Sequence, residues 1–324
     1  MKIINKDQFF EITKSFEWIP YTQTYGWYSF FCKDEKDDFL FLIDDKENPQ
    51  IACFGHIKRA LGFKMLMIEG ECALKSTFSN VLVRNFYKAI SELPYDMIEV
   101  NSNSLYDFEF EIGLRRAGFL RPVGVFSVPL SILVSLNKPI EYDRNWMRNL
   151  KKSKQHNLQF DYISKPSSLL IKEFVDTYNI LSDFKGFGTK LNFTALNHLL
   201  EDSKMRLFLV RDKAGKVLCF RIVYVQKETA TDIFAANTLE SREFSATHFM
   251  MDALFAYLSK NKLKHFDFAR ILVGHPTADS VFLFKNGVRG KKVLYNGEWS
   301  FYKKKYYRPL MYFVKRWLFK KREL

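Results

Sequence analysis

"LFLVRDKAGKVLCFRIVYVQKETATDIFA", residues 207–235, decides the fold. It reads as three strands, 207–211, 217–226 and 229–235, separated by the turn chemistry of "DKAGK" and by a short polar break. Three strands joined this tightly form an antiparallel meander. Downstream, "FSATHFMMDALFAYLSKNK" (244–262) carries apolar residues at 249, 250, 253, 254, 257 and 258, one helical face. "KHFDFA" (264–269) then returns to strand character.

The same order occurs earlier in the chain. "FLFLI" (39–43), "IACFGHIK" (51–58) and "KMLMIE" (64–69) read as strands, the first pair separated by "DDKENP". "TFSNVLVRNFYKAISEL" (77–93) is helical, with Thr77 or Ser79 as its N-cap, and "DMIEV" (96–100) is a strand. Starts at 39, 51, 64, 77 and 96 precede those at 207, 217, 229, 244 and 264 by 165 to 168 residues. The chain is therefore expected to hold two similar α/β subdomains, residues 1–140 and 141–309, followed by a tail, 310–324.

The repeat also aligns "LRRAGFLR" (114–121) with "LFKNGVRG" (283–290). In both, a basic residue in a last helical turn precedes a glycine by two positions. Gly118 and Gly287 are expected as left-handed C′ residues. Arg116 and Lys285 then either complement a helix C-terminus or, for Lys285, point into a site.

Bulk properties limit the partners. Apolar residues make up 47% of 324, enough for two real cores. The formal charge of +14 suggests a polyanionic partner such as nucleic acid, anionic lipid or a phosphorylated substrate. Cys32, Cys53, Cys72 and Cys219 form no C-x-x-C pair and are expected as free thiols in a reducing compartment. The histidines show no metal-ligand spacing, so no metal site is expected. The N-terminal "MKIINKDQFFEITK" lacks an apolar h-region, and the longest uncharged run, Pro122–Asn137, is too short to span a bilayer. A cytoplasmic location is expected.

The order of elements resembles a duplicated GNAT acyltransferase fold, and specific strings are similar to the FemAB family of peptidoglycan-bridge aminoacyltransferases. "WIPYTQTYGW" (18–27) resembles that family's Trp, Gln and aromatic signature. "RNWMRNLKKSKQHNLQF" (144–160) resembles its basic helix, "HFDFARI" (265–271) its Asp-containing strand, and "FKNGVRG" with "GEW" (297–299) its FK-x-G-F-G and Gly-Glu-Trp ending. Val288 and Arg289 stand where the family has Phe and Gly, and Ala269 and Arg270 where it has glycines. The resemblance implies two tandem GNAT-like subdomains with mixed central sheets. It further implies transfer of an amino acid from aminoacyl-tRNA to an amine of a phosphorylated cell-envelope precursor, with no cofactor.

Acyl transfer to an amine requires a deprotonated amine, a positioned ester and stabilisation of the oxyanion, but no covalent nucleophile. By the resemblance Lys285 serves phosphate or oxyanion. Asp267 is expected to orient or deprotonate the amine, or else to be an exposed strand-end residue paired with Arg270. Trp27, Lys185, Lys190, Tyr224 and Arg270 are expected at the substrate. "SDFKGFGTKLNF" (182–193) is either a lid carrying Lys185 and Lys190 or a solvated loop with Phe184 and Phe187 in the core. "REFSAT" (242–247) stands where a GNAT enzyme cradles the pyrophosphate of CoA. Arg242, Ser245 and Thr247 are the expected donor-binding residues. The side chains of Ser245 and Thr247 crowd that approach, and Ser245 serves equally as an ordinary N-cap.

Acyl-CoA-dependent N-acylation of an amino sugar or lipid amine is the alternative enzyme reading. A non-catalytic membrane-surface or RNA-binding protein is the third. The basic run in 144–154 reads as a solvated face or a holder of tRNA phosphates. In the tail, Leu310, Met311, Phe313, Val314, Trp317 and Leu318 share one helical face opposite a basic one. Such a helix suits an anionic membrane surface; docking on the protein's own core and RNA binding are the other readings.

Overall fold

The computed structural model describes residues 1–32, 38–60, 62–75, 77–123, 129–186, 190–271 and 276–318. The chain divides into two compact units. One comprises Met1–Tyr28, Cys32–Leu130 and Val293–Leu324, the other Ser29–Phe31 and Ser131–Lys292.

In chain order the first stretch gives β1 (Lys2–Ile4), α1 (Lys6–Thr13), α2 (Tyr25–Phe31), β2 (Phe39–Ile43), β3 (Ile51–Ala60), β4 (Phe63–Ile68), the short β5 (Cys72–Ala73), α3 (Asn80–Ser91), β6 (Met97–Leu105) and α4 (Phe108–Arg116). The β2–β3 turn forms because Asp45 Oδ1 accepts from Glu47 N, while Asp44 Oδ1 accepts from Gln50 N at 3.0 Å and from Ile51 N. β2, β3 and β4 are antiparallel, and α3 carries the chain over to β6, which pairs in parallel with β4. Ser79 occupies the N-cap of α3 without a side-chain bond. Glu109 Oε2, from α4, instead accepts from Asn80 N at 3.1 Å.

The middle of the chain gives β7 (Leu130–Ser135), α5 (Arg144–Ser153), β8 (Gln159–Ile163), α6 (Ser168–Lys185), α7 (Phe193–Leu200), β9 (Met205–Arg211), β10 (Val217–Gln226), β11 (Thr229–Asn237), α8 (Ala246–Lys260), β12 (His265–Asp267) and α9 (Pro276–Asn286). β13 (Lys291–Tyr302) and α10 (Tyr307–Leu318) follow. The meander read in 207–235 is β9–β10–β11, antiparallel throughout, and α8 leads into β12, parallel to β11.

The closing strands do not follow the order of the repeat. The strand that follows the first half's last helix, β7, pairs with β12 of the second unit, and β13, which follows α9, pairs with β6 of the first. Each half therefore closes its sheet with the strand that follows the other half's helices. The expected division at 140/141 is corrected accordingly: the second unit begins at Ser131, and residues 293–309 belong to the first. A linear repeat in sequence carries no record of such an exchange.

Each unit buries its own core. In the first, Val83, Phe86, Ile90, Phe110 and Trp299 pack with the inner faces of β2–β6. In the second, Met250, Leu254 and Phe255 of α8 pack with Phe208, Val223, Phe266 and Phe268. The four cysteines are free, and all but Cys32 are buried. No helix among the described residues is long and apolar enough to cross a membrane.

The two aligned glycines part company. Gly118 has φ +92° and is the expected left-handed C′ residue. Gly287 is not left-handed; a Cβ there would lie 2.8 Å from Trp146 Cδ1 and 3.0 Å from Asp143 Oδ2. Its glycine serves close approach, with Asp143 N donating to Gly287 O at 2.8 Å. The left-handed residue in this turn is Arg289, at φ +48°.

Candidate active site

The second unit contains a cavity of about 560 Å³ where two parallel strands part. β11 and β12 are paired from Thr229↔His265 to Thr231↔Asp267. β11 then continues to Asn237 while β12 ends at Asp267. The cavity is lined by Asp232–Ala235 on one side of the parting and by Phe268, Ala269 and Arg270 on the other. A β-bulge contributes: Ile222 pairs with Phe234 and Val223 with Asp232, so Ile233 is the extra residue on β11.

Lys285 lines the cavity from the last turn of α9. Its Nζ donates to the carbonyl of Phe268 at 2.7 Å, across the mouth of the parting. Its counterpart Arg116 is exposed and bonds Asn80 Oδ1. Burial lowers the Lys285 ammonium below its ordinary value; Asp232 and Asp267 oppose that shift and Arg221 adds to it.

Arg242, Ser245, Thr247, Lys185 and Arg270 also line the cavity. Ser245 is buried, stands at φ +49° and makes no side-chain cap bond. The N-capping reading of Ser245 is thus corrected: the backbone takes a conformation that glycine adopts freely, and the hydroxyl does not close the helix end. The Arg242 guanidinium sits 5.0 Å from the Phe184 ring centroid. Phe184 is exposed rather than tucked into the core, and Phe187 lies outside the described residues. Burial, then Arg242, lowers the Lys185 ammonium.

Four expected residues lie elsewhere. Asp267 is neither exposed nor at the cavity; Oδ1 accepts from Ser131 Oγ at 2.5 Å and from Ala269 N at 2.9 Å. It fixes the turn at Ala269, which stands at φ +55°. Lys190 pairs with Asp183 and donates to Asn179 O. Tyr224 is buried within β10, and Trp27, in the first unit, donates from Nε1 to Glu69 Oε2 at 3.0 Å.

Several family-like strings prove to hold the fold. Gln23 is buried and clamps Phe54 through both its backbone N and O, and also reaches Glu69 O. Trp299 is buried under the Arg121 guanidinium, 3.8 Å from the ring centroid.

Sequence reading missed Arg221, Asp232 and His248. Arg221 Nη1 donates to Asp232 Oδ2 at 2.9 Å, and both residues line the cavity. A charge in the middle of an apolar strand, "VLCFRIVYV", was the available signal. Burial lowers His248 to about 4, with Asp143 opposing, so its imidazole is neutral at physiological pH. Burial also pushes the Cys219 thiol up to about 12, which leaves no thiolate nucleophile beside the cavity.

Over 97% of this chain and all of the other, the structure superposes on that of FemX with a TM-score of 0.74 at 12% identity. The fold is that of FemX. L-PGS from Bacillus licheniformis is similar over 88% of this chain and 90% of its own, with a TM-score of 0.58 at 12% identity. A tandem GNAT protein from the clavulanic acid biosynthesis pathway matches over 92% and 93%, with a TM-score of 0.54 at 8% identity. No family model matches the chain, and no curated protein resembles it in sequence. The FemX-like fold explains the double meander, and the cavity lies in the second of its two halves.

Proposed function

We propose that the chain is an N-acyltransferase that moves an aminoacyl group from aminoacyl-tRNA to an amine of a phosphorylated, peptidoglycan-type cell-envelope precursor. The carrying observation is the cavity at the β11/β12 parting, lined among the described residues by Lys185, Arg221, Arg242, Arg270 and Lys285 against a single carboxylate, Asp232. Such a surface suits a ligand rich in phosphate. Arg144, Arg148, Lys151 and Lys152 are exposed on α5, the helix that also supplies Asn149 to the cavity. Four exposed cations on this helix suit the backbone of a tRNA acceptor end.

The amine attacks the ester carbonyl, a C–N bond forms, the C–O bond to the ribose breaks, and the amine's proton ends on the released hydroxyl. Lys285 stabilises the oxyanion. The neutral His248 imidazole, which also lines the cavity, is the group suited to accept the proton. Asp267 acts at one remove, by fixing the turn that presents Phe268 O.

Acyl-CoA use is the second reading. It is favoured by the N-terminus of α8, which opens beside Arg242 without a side-chain cap. We further place the protein at the inner leaflet through α10, where Leu310, Phe313 and Trp317 are 41%, 66% and 71% exposed. Nine basic residues against one acid in 301–324 complement anionic lipid.

Labelled aminoacyl-tRNA and labelled acetyl-CoA, each with a cell-envelope extract, test the reading. Label arriving from tRNA is expected. Label arriving only from CoA overturns the donor, and none from either overturns the activity.

A further inference from the structure

The Arg221–Asp232 pair is incompletely used. Each side chain is more than nine-tenths buried, and one hydrogen bond, Nη1 to Oδ2 at 2.9 Å, joins them. Arg221 Nε and Asp232 Oδ1 are buried and have no hydrogen-bond partner among the described residues. Buried ion pairs persist when their remaining donors and acceptors are met, because an unmatched polar atom in low dielectric is costly. Here one donor and one acceptor are left over on residues that line the cavity. The pair shares the cavity wall with Phe268 and Lys285, whose ammonium holds the Phe268 carbonyl at 2.7 Å.

The leftover atoms specify a ligand group. Arg221 Nε requires an acceptor, and Asp232 Oδ1 requires a donor. Among the described lining residues Asp232 is the single carboxylate, and it is the group a cationic donor would meet. An α-amino ester offers both functions three bonds apart: a carbonyl oxygen and an ammonium on the neighbouring carbon. An acetyl or other simple acyl group offers the carbonyl alone and leaves Asp232 Oδ1 unmatched.

We propose that Arg221 and Asp232 read the free α-amino group of the acyl moiety, with Asp232 Oδ1 accepting from the amine and Arg221 Nε donating to the acyl carbonyl. The inference rests on the aminoacyl-tRNA reading above and deepens it: the pair selects an aminoacyl donor over a simple acyl donor. The bulge at Ile233 is what sets Asp232 into the parting, and Arg221 meets it from the neighbouring strand.

The test uses two stable donor mimics that differ by one amine, 3′-deoxy-3′-(L-alanylamido)adenosine and its 3′-propionylamido counterpart. Binding of each to the full chain is measured by titration calorimetry, for the wild type and for Asp232→Asn. The wild type is expected to bind the alanyl compound about 10- to 100-fold more tightly, the range of a hydrogen bond to a charged group. Asp232→Asn is expected to lose that preference while keeping its affinity for the propionyl compound. Equal wild-type affinity for the two mimics overturns this inference and leaves the donor reading standing. Binding of neither overturns both. The wild-type comparison stands by itself if the variant does not fold.

Discussion

Lys285 Nζ and the carbonyl of Phe268 meet at 2.7 Å across the point where β11 and β12 separate. The bond ties the end of α9 to the strand exit that Asp267 shapes through Ala269 N. A cation thus stands where backbone pairing ends, in the wall of the cavity.

Lys285→Ala should therefore separate activity from stability. Loss of one hydrogen bond is offset by relief of a buried charge, so the change in unfolding free energy should stay within about 1 kcal/mol. Transfer should fall by roughly 10²–10³-fold if the ammonium serves the oxyanion. Lys285→Arg should not restore it, because a planar fork replaces a compact ammonium. Small, parallel losses in rate and melting temperature would return Lys285 to a helix-end role.

The turn after α9 gives opposite expectations at neighbouring positions. Gly287→Ala forces a methyl against Trp146 and Asp143 and should cost about 1–3 kcal/mol. Arg289→Gly relieves a left-handed side-chain residue, for a net gain of roughly 0.5–1 kcal/mol. Urea denaturation of the two variants checks both signs. A stable Gly287→Ala protein would disprove the close approach.

Glu71 sets a pH dependence in the first unit. It is fully buried, and burial pushes its carboxyl up to about 7 from the ordinary 4.5, against the lowering effect of Ser102, Ser104 and Tyr87. The folded state then holds a proton that the unfolded chain releases. That stabilisation is complete below about pH 4.5 and is lost as pH rises towards 7, by about 3 kcal/mol in all. Glu71→Gln should flatten this slope in melts taken between pH 5 and 8. An unchanged slope would assign the dependence elsewhere.

The tail divides into two faces, Tyr307, Met311 and Val314 half-buried and Leu310, Phe313 and Trp317 exposed. Phe313→Ser with Trp317→Ser should leave the fold intact and abolish sedimentation with anionic vesicles at low salt. Wild-type protein should bind such vesicles and release as salt screens the attraction. Indifference of the wild type to anionic vesicles would remove the membrane from the proposal.

The order of elements was legible because hydrophobic periodicity and turn chemistry are local. β10 spans Val217–Gln226 as its apolar run and flanking turns indicated, and the meander in 39–69 reappears in 207–235. Lys285 was legible only as a choice between a helix end and a site. Gly287 was misread because a glycine required for close approach and one required for a left-handed turn look identical in a string. Ser245 was misread for a similar reason: a serine before a helix signals a cap, while its φ of +49° is not visible in the string.

By itself the sequence determined the two α/β halves, their internal order and the basic surplus, since each depends on neighbours within a few residues along the chain. Only the tertiary structure decided which strand closes which sheet, because pairing partners such as Asp267 with Leu133 and Tyr302 with Met97 lie far apart in sequence. It also decided which charges matter. Arg221 and Asp232 become a buried ion pair, and Asp267 becomes a buried support, through contacts with other strands, and burial is what makes those contacts strong.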